Sequence, residues 1–228
     1  MKLIVSEIFK SIQGEGPKAG SPSVFLRLAG CNLRCKFCDT KYASFTEFAS
    51  EWKSLELTDI LREIEGIRGS AWNLVITGGE PLLQKQPLAK LIGTLESLFH
   101  TVEIETNGTI LPEGIPLLTS LSFNVSIKLS NSGVDEDARI NGNVINFYAE
   151  FERAYFKFVI GDEFDIQELL RIVENNYISP HRVYLMPMAR DLEELDRIAY
   201  KVCELAIRFG FNYSDRLHIR LFGGQRGK

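Results

Sequence analysis

Short runs of β-branched and aromatic residues alternate with longer segments of helical period, and this alternation limits the fold more than any other feature of the chain. VFLRLA (24–29), NLVIT (73–77), VEIET (102–106), LSFNVSI (121–127), AYFKFVI (154–160), RVYLMP (182–187) and LHIRLF (217–222) read as strands. Between them Leu57, Ile60, Leu61, Ile64 and Ile67 recur at helical spacing, as do Leu88, Leu91, Ile92, Leu95, Leu98 and Phe99, and then Ile166, Leu169, Leu170 and Val173. The longest pattern runs from Leu192 through Leu195, Ile198, Ala199, Val202 and Ala206 to Phe209, where Gly210 can end it. The alternation predicts an α/β fold with a mainly parallel sheet and right-handed crossovers. Pattern alone leaves an open sheet, a partial barrel and a closed barrel all possible. In any of these, functional residues collect at the C-terminal ends of strands. Here cysteines follow the first of these strands, Thr77-Gly78-Gly79-Glu80-Pro81 ends the second, and Thr106-Asn107-Gly108-Thr109 ends the third.

Cys31, Cys35 and Cys38 form a C-x3-C-x2-C run, while Cys203 stands alone far downstream. Clustered cysteines point to a metal rather than to a disulfide framework. A structural zinc takes four protein ligands, and His100, His181 and His218 show no finger-like spacing to supply the fourth. A four-iron cluster also normally takes four cysteines, so three leave one iron open to a substrate or cofactor. Cys203 falls beside the apolar stripe of its helix and reads as a small buried residue.

The 228 residues suit a single domain over 1–228, with 45% apolar and 25% charged residues in the globular range. Net charge is −4, acids and bases are mixed, and no basic stripe tracks a phosphate backbone, so a small-molecule substrate is expected rather than a nucleic acid. Apolar runs break well short of the roughly 18 residues a membrane span needs. The first residues lack a signal-peptide pattern, so no membrane association and a cytoplasmic location are expected.

The cysteine run, with Phe37 before its last cysteine, resembles the signature of the radical S-adenosylmethionine (SAM) superfamily, and Thr77-Gly78-Gly79-Glu80-Pro81 is similar to its GGEP motif. That resemblance implies a partial (β/α) barrel and a [4Fe-4S] cluster held by Cys31, Cys35 and Cys38. One electron from the cluster cleaves SAM to methionine and a 5′-deoxyadenosyl radical. Further stretches resemble the 7-carboxy-7-deazaguanine synthase family over nearly the whole chain. They are Glu7 to Pro17, Phe25 to Cys31, Cys38-Asp39-Thr40, Glu105 to Thr109, Ser126 to Asn131 and Leu217-His218-Ile219.

The family resemblance implies conversion of 6-carboxy-5,6,7,8-tetrahydropterin to 7-carboxy-7-deazaguanine with loss of ammonia, on the route to queuosine or archaeosine. It implies Mg2+ on Thr40, a homodimer, and a reductant such as flavodoxin or ferredoxin. It places Phe37, Cys38, Asp39, Gly78, Gly79, Glu80, Ser126 and Lys128 at SAM, with the Glu80 carboxylate able to accept from an ammonium. It places Ile12, Gln13, Gly14, Glu15, Arg27, Thr77 and His218 at the pterin, with His218 on the last strand.

The chemistry of these residues is compatible with those roles. Amide-type donors and acceptors from Gln13 and the 12–14 backbone suit a pterin edge, and the Arg27 guanidinium suits a carboxylate. Taken singly, Arg27 also reads as a strand-face charge, Gln13 and Glu15 as solvated loop residues, Thr40 as a backbone-bonded turn residue, and His218 as a core histidine. Isoleucine stands at position 127 where relatives have proline, and Phe222 where many have tryptophan. A glycyl-radical-enzyme activase and a non-catalytic metal-binding module are the rival readings, and the Ser11–Gly16 run and GGEP oppose them.

Overall fold

The computed structural model describes residues 1–228. It opens on a strand that the alternation did not mark, β1 (Lys2–Ile12), which pairs antiparallel with β2 (Pro22–Leu28) and β3 (Lys53–Glu56). Only Leu3, Val5 and Ser6 of β1 are buried, so its apolar signal is too brief to stand out from the flanking polar residues. From β2 onward every neighbour is parallel: β4 (Asn73–Gly78), β5 (Thr101–Thr106), β6 (Leu121–Val125), β7 (Ala154–Ile160), β8 (Val183–Pro187) and the two-residue β9 (Asn212–Tyr213). The order is β3-β1-β2-β4-β5-β6-β7-β8-β9, with no pairing of β9 back to β3 or β1. The sheet is therefore a partial barrel, open on one side, as the resemblance implies.

The crossovers are α1 (Lys41–Ser44), α2 (Leu57–Arg68), α3 (Lys85–Leu95), α4 (Glu136–Arg139), α5 (Gly142–Glu150), α6 (Phe164–Asn175), α7 (Leu192–Phe209) and α8 (Leu217–Phe222). The four patterns read from periodicity are α2, α3, α6 and α7. Asp191 caps α7 by accepting from Glu194 N, and Gly210 ends it in the left-handed region with φ 70°. One apolar core runs from Leu3 on β1 to Ala206 on α7.

Residues 217–222, expected as a strand, are the helix α8. Six apolar-rich residues satisfy either period. The tertiary context decides: Ile219 packs with Ala189 and Leu195, and Gly223 closes the turn at φ 62°. His218 accordingly sits on a helix, not on a strand.

The open side of the barrel is bridged by the loop between β1 and β2. Leu217 N donates to Gly14 O at 3.0 Å, and Gly16 N donates to Ser214 Oγ at 2.8 Å. Below this loop the lumen holds a buried polar set at the N-terminal ends of the strands. Glu103 accepts from Asn73 Nδ2 at 2.6 Å and from Asn124 Nδ2 at 2.7 Å, and Lys18 Nζ donates to Ser122 Oγ at 3.0 Å. These bonds pin the loop as a floor.

Candidate active site

Above the floor, at the C-terminal ends of the strands, lies a cavity of about 690 Å3. That is within the usual range for a small-molecule site. Cys31, Cys35 and Cys38 line one part of it, whereas Cys203 lies on α7 and does not.

The cysteine loop is held by its neighbours. Glu80 N donates to Gly30 O at 2.8 Å and Gly79 N to Leu28 O at 3.2 Å, which draws the end of β4 against the loop. A Cβ on Gly79 would lie 2.1 Å from Gly30 O, and one on Gly78 would lie 2.0 Å from Leu28 O. The glycines of the Thr77–Pro81 motif are thus required by close approach before any ligand is considered. From the next strand, Asn107 Nδ2 donates to Asn32 Oδ1 at 2.9 Å and lies 3.9 Å from Cys31 Sγ. Asn32 Nδ2 in turn donates to Thr109 Oγ1 at 2.9 Å. Asn107 was not singled out in the sequence as a site residue, although its place after a parallel strand was a signal.

Burial pushes the Cys31 thiol up to about 11 and raises Cys35 as well. Bare thiols here stay protonated, so a cationic group is what would hold them as thiolates. No three cysteine, histidine or acidic side chains are grouped closely enough to hold one metal ion. Three soft donors spread round one cavity wall, with no completing ligand, fit an iron–sulfur cluster better than a lone zinc.

Glu80 is placed differently from the expectation. Its carboxylate is fully buried beneath the cavity and does not line it. It accepts from Asn107 N at 2.7 Å, from Leu82 N at 3.0 Å and from Thr106 Oγ1 at 3.0 Å. The side chain therefore ties β4 to β5, and the cavity meets Gly78 and Gly79 instead. Phe37, Asp39, Ser126 and Lys128 do line it. Lys128 Nζ donates to Ser126 Oγ at 2.7 Å, and Asp39 is ion-paired with Arg216.

Thr40 lines the cavity with its hydroxyl 3.8 Å from Cys38 Sγ. It stands at the N-cap of α1 but its side chain makes no capping bond. The hydroxyl is not spent on the backbone.

The same cavity brings together Ile12, Gln13, Gly14, Glu15, Arg27, Thr77 and His218. Gln13 is 2% exposed, which excludes the reading of a solvated loop residue. Glu105, to which its motif alone assigns no role, is the hub. It accepts from Thr77 Oγ1 at 2.8 Å, from Lys157 Nζ at 3.2 Å and from Gln13 Nε2 at 3.4 Å. Glu15 accepts from Lys157 Nζ at 3.0 Å and from Arg216 Nε at 3.2 Å, with His218 Nε2 3.9 Å away. Burial opposes the charge on Lys157, but Glu105 and Glu15 outweigh it and hold the ammonium above its ordinary value. Burial pushes His218 down despite Glu15, so its imidazole is neutral at neutral pH. Lys157 and Arg216 were missed. The signal for Lys157 was a lone cation inside the strand AYFKFVI, where a residue that cannot be solvated must face a polar lumen.

Residues 26–156 match the family model of the radical SAM superfamily. The chain is 40% identical over 223 residues to a 7-carboxy-7-deazaguanine synthase of Hyperthermus butylicus, covering 95% of this chain and 92% of the relative. It is 39% identical to one of Pyrobaculum aerophilum, covering 98% and 96%. The chain belongs to the 7-carboxy-7-deazaguanine synthase family. Among solved structures, QueE from Escherichia coli superposes with a TM-score of 0.67 at 27% identity, over 94% of each chain. Streptococcus suis SuiB bound to SAM, at 19% identity and a TM-score of 0.54 over 81% of this chain and 44% of that one, shares the fold. Membership brings a [4Fe-4S] cluster, SAM and Mg2+ as the family's cofactors. No helix is long and apolar enough to cross a membrane.

Proposed function

We propose that the chain, acting as one domain, converts 6-carboxy-5,6,7,8-tetrahydropterin to 7-carboxy-7-deazaguanine with release of ammonia. The observation that carries the reading is one cavity with the cysteines on one wall and a floor of buried amide, carboxylate and guanidinium groups. The relatives in Hyperthermus butylicus and Pyrobaculum aerophilum bear the name of this synthase.

Cys31, Cys35 and Cys38 would hold the cluster, and Gly78, Gly79, Phe37, Asp39, Ser126 and Lys128 would hold SAM. When bound, the two supply a one-electron cleavage whose adenosyl radical takes hydrogen from the substrate. Gln13 and the 12–14 backbone would read the pterin edge, and Arg27 would take its carboxylate. Arg27 Nε is committed to Glu7, while both terminal nitrogens make no bond within the protein, which suits an end-on fork. Thr40 would offer Mg2+ a hydroxyl beside substrate oxygens, a donor type the ion prefers. Closure of the lumen by the pinned floor keeps bulk water from the reacting ring.

The electron comes from a small redox protein of the flavodoxin or ferredoxin kind. Two copies pair as a homodimer, for which Tyr200 and Ile207, 74% and 76% exposed one heptad apart on α7, offer apolar surface. The test is anaerobic reconstitution and incubation with the carboxytetrahydropterin, SAM, Mg2+ and dithionite. Formation of the deazaguanine acid with one ammonia per product supports the reading. A SAM-cleaving protein that leaves the pterin intact contradicts it.

A further inference from the structure

Glu7 faces Arg27 across β1 and β2 in register, and it is bonded by more than that arginine. Its Oε1 accepts from Arg27 Nε at 2.8 Å and from Tyr42 OH at 2.6 Å. Its Oε2 accepts from Arg226 Nε at 3.3 Å. Arg226 arrives from beyond α8, where positive φ angles at Gly223 and Gly224 turn the chain back, and residues 224–228 line the cavity. It is fixed there by three contacts: the one to Glu7, Nη1 to Glu51 Oε2 at 2.7 Å, and its guanidinium carbon 4.0 Å from the centre of the Tyr42 ring.

We infer that Arg226 is a specificity-determining residue that acts through Glu7 on Arg27. A carboxylate and a guanidinium left to themselves form two parallel bonds. Arg226 occupies the second oxygen of Glu7, so Arg27 makes a single bond to Glu7 and keeps both terminal nitrogens for a ligand carboxylate. Without Arg226, Oε2 of Glu7 is free to draw one of those nitrogens into a two-bond pair. The fork would then turn from the cavity toward the β1–β2 face. Glu7 and Arg226 are positioning residues in this scheme, and Arg27 is the group that touches substrate. The inference rests on the proposed role of Arg27 as the carboxylate clamp.

The test compares two ligands on the reconstituted holoenzyme with SAM present and no reductant, so that binding is measured without turnover. One is 6-carboxy-5,6,7,8-tetrahydropterin and the other is a tetrahydropterin lacking the carboxylate. In Arg226→Ala the carboxylated ligand should bind about tenfold more weakly, the size of a charge-assisted contact partly lost. The uncarboxylated ligand, SAM affinity and iron content should stay at wild-type levels. Arg226→Lys should recover part of the loss, since an ammonium can hold Oε2 without the planar stack on Tyr42. Equal weakening of both pterins, or no change in either, overturns the inference. A wild-type protein that binds the two pterins alike removes the clamp reading itself, and the inference with it.

Discussion

Lys157 on β7 and Glu15 in the loop after β1 meet at 3.0 Å inside the lumen, with the lysine side chain only 3% exposed. Removing Glu15 leaves Lys157 with Glu105 at 3.2 Å and Arg216 with Asp39, so the cost falls below the roughly 3–5 kcal/mol of a fully stranded buried charge. Glu15→Gln should still lower the urea midpoint at neutral pH. The carboxyl of Glu15 lies below its ordinary 4.5: burial alone would raise it, but Lys157, Arg216 and His218 outweigh burial. The unfolded chain takes up that proton first, so the stability is present above about 4.5 and declines as pH falls further. The wild type should lose stability below that pH more steeply than Glu15→Gln. Parallel acid limbs for the two proteins would show that the pair contributes nothing.

Glu80 gives a second test, because its carboxylate serves the fold directly. Each oxygen accepts from a backbone N–H, so whichever one Glu80→Gln replaces, an amide NH2 is turned toward the N–H of Leu82 or Asn107. An unsatisfied buried donor costs about 1–3 kcal/mol, or roughly 2–12 °C in Tm for a chain of this length. Burial also lifts this carboxyl to about 7 although Asn107 N and Leu82 N donate to it. The native state then holds the proton more tightly, so wild-type stability should fall as pH rises from about 4.5 to 7, a slope the glutamine variant lacks. The loss should appear in protein without SAM. An unchanged Tm in that state would return Glu80 to the role of a ligand acceptor.

Thr40→Val keeps the shape and removes the hydroxyl. Because that hydroxyl caps no helix, we expect the cluster and SAM affinity to persist while most of the Mg2+ stimulation of turnover is lost. A valine variant that responds to Mg2+ as the wild type does makes Thr40 structural.

The cysteines separate cleanly. Alanine at Cys31, Cys35 or Cys38 should give folded protein with less than a full four-iron complement, whereas Cys203→Ala should load normally. Iron and sulfide analysis beside circular dichroism checks this, and loss of the cluster from Cys203→Ala alone would reverse the assignment.

The strands with continuous apolar runs and the helices with clear period were legible, as was the cysteine loop, since local spacing determines each. The β1 strand was not, because only one short stretch of it is buried, and α8 was misread because six residues carry too few turns to fix a period. The site shows the same division. The 12–15 loop and Arg27, which line the cavity, were picked out because they lie in contiguous motifs that resemble the family. Lys157, Arg216 and the Glu105–Asn107 stretch come from three separate segments, and Glu105, Lys157 and Arg216 gather round Gln13 and Glu15 only through the closure of the lumen. Glu80 was recognised by its motif, but which way its side chain turned depended on donors from β5 that lie 26 and 27 residues away.

The most direct measurement is a stoichiometry. Reconstituted protein, reduced anaerobically and supplied with Mg2+, the carboxytetrahydropterin and a small amount of SAM, should form 7-carboxy-7-deazaguanine and ammonia in equal amounts and in excess over the SAM added. Product in excess over SAM requires that SAM itself be recovered at the end of the incubation. Methionine and 5′-deoxyadenosine accumulating with no deazaguanine acid would contradict the assignment.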